Sequence, residues 1–410
     1  MVCELTDAMM LFSGVVFLTL EDEVYLAAIG LIDAFLLCCL AFGFALSDAF
    51  RNFYARATAY PRTDTLSLTV QCRSQRDFLT AGLMISGFAA ALPWVFGLWS
   101  DAEIIQILIS ALPFLIPVVV VYYLGLSFHA FLIGKGHLQR AGWIAVSGFV
   151  LHLILLFVFL NVVDIGLLPT NAVLLATLLT ESLWAAALWA SYRMFGYSRG
   201  LDSNINTARI RKVLCSAACL PGLSFFSFHF SCALIFLYLS WCCAHTEAAV
   251  LTLAVSSYAL LVAPVNGISD AAANGFSRIH AGRCPELFSR FRKNLIAVSF
   301  ASSAMVFALI AVIRLVGIHD GPWNFKVVAF TGVLAIFGMR NKIDFTAVLV
   351  RLRNGMFFRV QLMYAAVIVT GFLLLRDFFA TSIVALLVTV LFAKVAVTCA
   401  LRKNLRVVWR

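Results

Sequence analysis

The stretch GISDAAANGFSR at residues 267–278 repeats a pattern first met at residues 45–56, ALSDAFRNFYAR, with Ser, Asp, Ala, Asn and Arg at the same five of twelve positions. Each copy closes a long apolar run and opens a basic segment. A chain written this way has two halves of the same orientation, provided that the apolar runs are membrane spans.

Composition supports that proviso. Hydrophobic residues make up 63% of the 410, charged residues only 12%, and the mean hydropathy is +0.98. Those values exclude an ordinary soluble domain. A bilayer core of about 30 Å needs roughly 20 apolar residues per helical span. Runs such as VLHLILLFVFLNVV (150–163) and TSIVALLVTVLFAKVAV (381–397) show no alternation of polar and apolar residues, which argues against a membrane β-barrel. The expected fold class is all-α: a polytopic integral membrane protein with about 12 transmembrane helices.

Charges, Gly and Pro place the spans near residues 7–20, 25–49, 78–99, 105–133, 142–163 and 168–193, then 213–240, 247–274, 294–318, 326–349, 355–375 and 378–401. The first, AMMLFSGVVFLTL (8–20), is short for a crossing. It lacks the basic n-region and small-residue cleavage site of a signal peptide, so a short first helix is the reading taken.

Positive charge sets the orientation. The connections after spans two, four, six, eight and ten carry Arg51, Arg56, Arg62, Arg73 and Arg76; Lys135 and Arg140; Arg199, Arg209, Arg211 and Lys212; Arg278, Arg283, Arg290, Arg292 and Lys293; and Arg351, Arg353 and Arg359. On the other side LEDE (20–23), SDAE (100–103), VDIG (163–166) and CAHTE (243–247) contain no Lys or Arg. Both termini are therefore expected in the cytoplasm. The net charge of +10 is expected to reflect topology and contact with membrane lipid rather than nucleic acid.

With six spans between the two copies, the repeat predicts two parallel six-helix lobes, residues 1–200 and 201–410, around a central cavity. A weaker echo, FHAFLI (128–133) and FTAVLV (345–350), falls near the inner ends of helices four and ten. Within the main echo, Asp48, Asn52 and Arg56, and likewise Asp270, Asn274 and Arg278, are spaced i, i+4, i+8 along one helix face. These stripes read either as a cytoplasmic gate that closes between lobes or as polar helix ends meeting water and headgroups.

The segment GISDAAANGFSRIHAGR (267–283), with Pro264 before it and ELFSRFRKN (286–294) after it, resembles the eighth-helix region of MATE (multidrug and toxic compound extrusion) transporters. That family sits in the wider superfamily of multidrug, oligosaccharidyl-lipid and polysaccharide flippases. EVYLAAIGL (23–31) is similar to the family's approach to helix two, and FHAFLIGKGHLQRAGWIAVSGFVLHLILL (128–156) to its helix four, turn and helix five. The resemblance implies a secondary active exporter of small amphipathic molecules. The same resemblance implies that it uses no cofactor and draws its energy from a proton or sodium gradient.

Departures from the family pattern bear on coupling. The helix-one acid of many bacterial members falls here on Ser13 or Gly14, and the helix-seven acid on Phe228 or His229. For helix ten Asp344 is the matching carboxylate. The acids left inside the spans are Asp33, Asp48, Glu181, Asp270 and Asp344, accompanied by Arg340, Lys342 and Lys394. A charge at a helix centre costs about 2.5–3.5 kcal/mol on insertion scales, so such groups should face a partner or a water-filled path. Asp33 and Glu181, roughly 12 and 20 Å from the outer face at 1.5 Å per residue, are ion-coupling candidates with Asp344; the alternative is that they hold helices together. Arg340 and Asp344, one turn apart, are expected either to form an ion pair or to line the cavity. Arg340, Lys342 and His229 are the substrate-cavity candidates. Cationic residues there would favour an anionic or zwitterionic substrate.

Other chemistry finds no support in the residues. The eleven Cys include no CxxC pair with His, so no metal site is expected, and P-loop, GxSxG and HExxH motifs are absent. The expectation is thus a transporter and not an enzyme, acting as a monomer on a small-molecule or amphiphilic substrate in a bacterial inner membrane. Its rivals are a flippase for a lipid-linked glycan or anionic amphiphile and, from another class, a polytopic membrane transferase.

Overall fold

The computed structural model describes residues 2–18, 21–57, 64–97, 103–163, 166–195, 207–242, 245–281, 285–317, 325–350, 354–379 and 383–408, with some side chains inside those helices outside the description. Among the described residues the chain forms twelve helices and no strand. They are α1 (Val2–Leu18), α2 (Glu23–Ala57), α3 (Asp64–Gly97), α4 (Glu103–Gly134), α5 (Leu138–Phe157), α6 (Pro169–Met194), α7 (Ala208–Trp241), α8 (His245–Ala281), α9 (Pro285–Gly317), α10 (Phe325–Val350), α11 (Asn354–Phe379) and α12 (Ile383–Val408). Six of them, α2 and α4 through α8, contain segments long and apolar enough to cross a membrane. The all-α polytopic reading therefore holds, and among the described residues the twelve helices follow the order of the twelve expected spans.

Boundaries differ most at α3, expected from residue 78 and found from Asp64. Hydropathy misses its first turns because they are polar, yet Ser67, Thr69, Gln71 and Ser74 are all fully buried. The hydrogen bonds of Gln71 and Ser74 explain how for these two. The Tyr54 hydroxyl donates to Gln71 Oε1 at 2.8 Å, Gln71 Nε2 donates to the Ser127 carbonyl at 3.1 Å, and the Ser74 hydroxyl donates to the Gln71 carbonyl at 2.9 Å. One glutamine thus ties α2, α3 and α4 together with its polar atoms satisfied. Aromatic rings fill the space around it: Tyr54 meets Phe131 edge-on at 5.0 Å and Phe50 meets Phe78 at 5.5 Å.

Prolines do not end these helices: Pro113 and Pro117 lie inside α4, Pro221 inside α7 and Pro264 inside α8. Membrane helices tolerate this where neighbours satisfy the released carbonyls. The turn from α4 to α5 is a Schellman motif. Gly136 adopts φ +92°, the His137 N–H reaches the Leu132 carbonyl at 2.9 Å and the Gly136 N–H reaches Ile133 at 3.0 Å. Glycine takes this conformation without a Cβ penalty.

By packing, the chain forms two compact units, one of residues 32–230 and the other of residues 1–31 with 231–410. In the first, α4 packs against α3 and α6, and α5 against α6. In the second, α8 packs against α1, α9 and α10, while α12 packs against α10 and α11. This grouping follows packing, whereas the halves 1–200 and 201–410 follow the sequence repeat.

Candidate functional site

In the unit of residues 32–230, Asp33 lies on α2 and Glu181 on α6. Glu181 is 6% exposed, and neither carboxylate forms a hydrogen bond or ion pair with another described residue. Glu181 follows Thr180, whose hydroxyl lies 3.5 Å from His152 Nδ1 on α5. One turn on, Trp184 stacks with Tyr122 at 5.5 Å and lies so close to Gly125 that a Cβ there would collide with the indole. Gly125 is thus what lets α4 and α6 approach beside this acid. An acid in such surroundings has no internal counter-charge, which suits a group that exchanges an ion.

Near the opposite end of α2, Asp48 accepts from Arg51 at 2.7 Å and its side chain is 41% exposed. Asn52 is exposed as well. The helices carrying Arg56, Asp270, Asn274 and Arg278 are described, but those four side chains lie outside the described residues. His229 on α7 meets Phe228 edge-on at 5.0 Å.

The second unit corrects one expectation. Asp344 on α10, fully buried, is not paired with Arg340; it takes both Nε and Nη2 of Arg292 on α9, at 2.5 and 2.8 Å. Two parallel bonds from a guanidinium fork to one carboxylate form a strong, geometrically specific charge-assisted pair. Arg340 is left with its buried Nε lacking a hydrogen-bond partner among the described residues, and Lys342 is half-buried. The other unit has a comparable pair, since Asp77 on α3 receives Arg211 of α7 through two bonds, the Nε bond being 2.6 Å. In the sequence Arg211 and Arg292 stand only among the positive charges of the basic connections.

A further cluster involves a residue visible in sequence only as an intramembrane charge. Lys394 on α12 is 7% exposed. Its Nζ donates to the Tyr258 hydroxyl of α8 at 2.7 Å, and lies 4.4 Å from the Tyr258 ring centroid and 5.5 Å from that of Tyr364 on α11. Its carbonyl accepts from Asn341 of α10 at 3.2 Å and from Thr398 at 2.8 Å, and Thr398 also reaches Asn341 Oδ1 at 2.8 Å. A Cβ on Gly338 would collide with the Tyr258 hydroxyl. The aromatic partners stand far from Lys394 in sequence, and only the intramembrane lysine itself could have pointed to them.

No family model matches the sequence, and no curated protein matches it. Solved structures do. The chain is similar to an inward-facing multidrug resistance MATE family transporter of the MOP superfamily, with 16% identity, a TM-score of 0.74 and coverage of 99% of this chain and 95% of that one. An outward-facing MATE structure matches with 16% identity, TM-score 0.71 and coverage of 99% and 96%. A MOP superfamily transporter from Pyrococcus furiosus, described as having a binding pocket of reverse polarity that suggests a different function, matches with 16% identity, TM-score 0.70 and coverage of 100% and 96%. The chain has the MATE transporter fold over essentially its whole length.

Proposed function

We propose that the protein is a secondary active exporter of the MATE type, moving small amphipathic molecules across the membrane by alternating access between lobes 1–200 and 201–410. The observation that carries this reading is the match of the whole chain to both an inward-facing and an outward-facing MATE structure. Asp33 and Glu181 are the proposed coupling groups, because each is an acid without a described partner. Asp344 is a weaker coupling group than the resemblance implies, since its charge is already met by Arg292. A proton or sodium gradient would supply the energy, with both termini cytoplasmic in a bacterial inner membrane and the protein acting as a monomer. Asp48, Asn52, Arg56, Asp270, Asn274 and Arg278 would form its cytoplasmic gate.

A second reading, a flippase for an anionic or lipid-linked amphiphile, is favoured by the buried cation Lys394 and the buried Nε of half-buried Arg340 in the second unit. Proteoliposomes separate the two. Under an imposed proton gradient and, separately, a sodium gradient, export of a cationic dye and of an anionic dye is measured for wild type, Asp33→Asn, Glu181→Gln and Asp344→Asn. The exporter reading expects gradient-driven export that is lost in Asp33→Asn or Glu181→Gln. No export of dye by folded protein under either gradient would overturn it in favour of the flippase.

A further inference from the structure

Lys394 is built into its place from both ends. Its backbone carbonyl is held by Asn341 and Thr398, and its ammonium by the Tyr258 hydroxyl and two aromatic faces. Glycine at residue 338 leaves room for that hydroxyl, which a Cβ there would force aside. An ammonium has three N–H donors, and here the Tyr258 oxygen takes one of them, the only acceptor among the described residues. No described carboxylate comes within ion-pairing distance. The titratable groups facing it are Tyr258 on α8, Tyr364 on α11 and Cys232 on α7.

A buried cation with rings beside it, donors to spare and no fixed counter-ion is poorly explained as helix glue, because an ion pair or a neutral hydrogen bond would serve that purpose without leaving a charge unmet. It is well explained if the counter-ion arrives with the cargo. We propose that Lys394, framed by Tyr258 and Tyr364, binds the anionic group of an amphiphilic ligand, a phosphate, sulfonate or carboxylate, whose apolar part packs on the tyrosine rings. Arg340, on α10 next to Asn341 and with a buried Nε that has no hydrogen-bond partner among the described residues, adds a second cation on the same group of helices. This deepens the transport reading, on which it rests, by naming the charge of the substrate.

The test is equilibrium binding, which does not depend on transport. Fluorescein and rhodamine 123 share a xanthene scaffold and differ in charge sign, so their fluorescence polarisation is titrated with protein in phosphatidylcholine nanodiscs. Wild type is expected to prefer fluorescein. Lys394→Met should weaken fluorescein about tenfold, as expected for losing one charge-assisted hydrogen bond, and leave rhodamine 123 unchanged. Lys394→Arg should stay within about threefold of wild type. Tyr258→Phe releases a donor and should bind fluorescein more tightly than wild type, where a purely structural lysine would gain nothing. Equal fluorescein affinity in wild type and folded Lys394→Met would overturn the proposal. So would a wild-type preference for rhodamine 123, which needs no variant to fold. Adding phosphatidylglycerol to the discs identifies the source: competition marks a lipid headgroup, and its absence a free amphiphile, both being the same anion chemistry. Anion binding without gradient-driven dye export would remove the exporter reading and leave this one standing.

Discussion

Asp344 carries the sharpest lesson about single residues. The sequence marks it as an acid inside a span, and its spacing to Arg340 invites an internal pair, yet Arg292 on the neighbouring helix takes both its oxygens. Spacing of one turn makes contact available but does not choose between partners; a planar fork arriving from another helix satisfies the whole carboxylate. Removing one member of a buried pair costs about 3–5 kcal/mol. Arg292→Met should therefore lower the thermal unfolding temperature of the purified protein sharply, and the double variant Arg292→Met with Asp344→Leu should recover most of the loss. A different residue carries a pH prediction. In the loop between α4 and α5 the His137 ring stacks on Phe195 at 3.9 Å, and partial burial, then the nearby Arg140 charge, hold its pKa below the ordinary 6.5. Its folded form binds protons less readily than its unfolded form, so its contribution favours folding above pH 6.5 and falls away as pH drops below that value. NMR titration of labelled histidine should find a midpoint below 6.5 that rises in Arg140→Gln.

At the scale of the element, number and order of helices were readable because a bilayer admits little besides long apolar helices. Where helices begin was less readable. The first turns of α3 look like a polar loop, and only the Tyr54, Gln71 and Ser127 hydrogen bonds reveal that this polarity points inward. Close approaches between helices were equally hidden, since a glycine in an apolar run carries no sign of what lies against it. Gly125→Leu should drive Trp184 from its place and destabilise the protein by about 1–3 kcal/mol, the usual cost of overpacking. Gly87 on α3 has open space around it, so Gly87→Ala should be neutral or slightly stabilising through helix propensity. Paired thermal melts of the two variants check this contrast.

For the whole molecule, the succession of long apolar runs spoke most clearly in the sequence, and the all-α fold of twelve helices, similar to MATE structures, agrees with it. The candidate site was legible only in part. Asp33 and Glu181 stood out as acids among apolar neighbours, but the tyrosines around Lys394 come from helices that the sequence alone does not bring together. The charge pattern also makes a global prediction. With single reporter cysteines in an otherwise cysteine-free chain, intact cells should leave a cysteine at position 135 unlabelled by a membrane-impermeant maleimide and label one at position 247. The opposite result would invert the topology. Finally, the buried polar face of α3 constrains how the protein is made. Gln71 and Ser74 find their partners on α2, on α4 and within α3 itself, so this segment has little reason to enter the bilayer before both neighbours exist. Biogenesis should hold α3 back until α4 has left the ribosome, a pause that makes insertion here a cooperative event rather than a succession of independent ones.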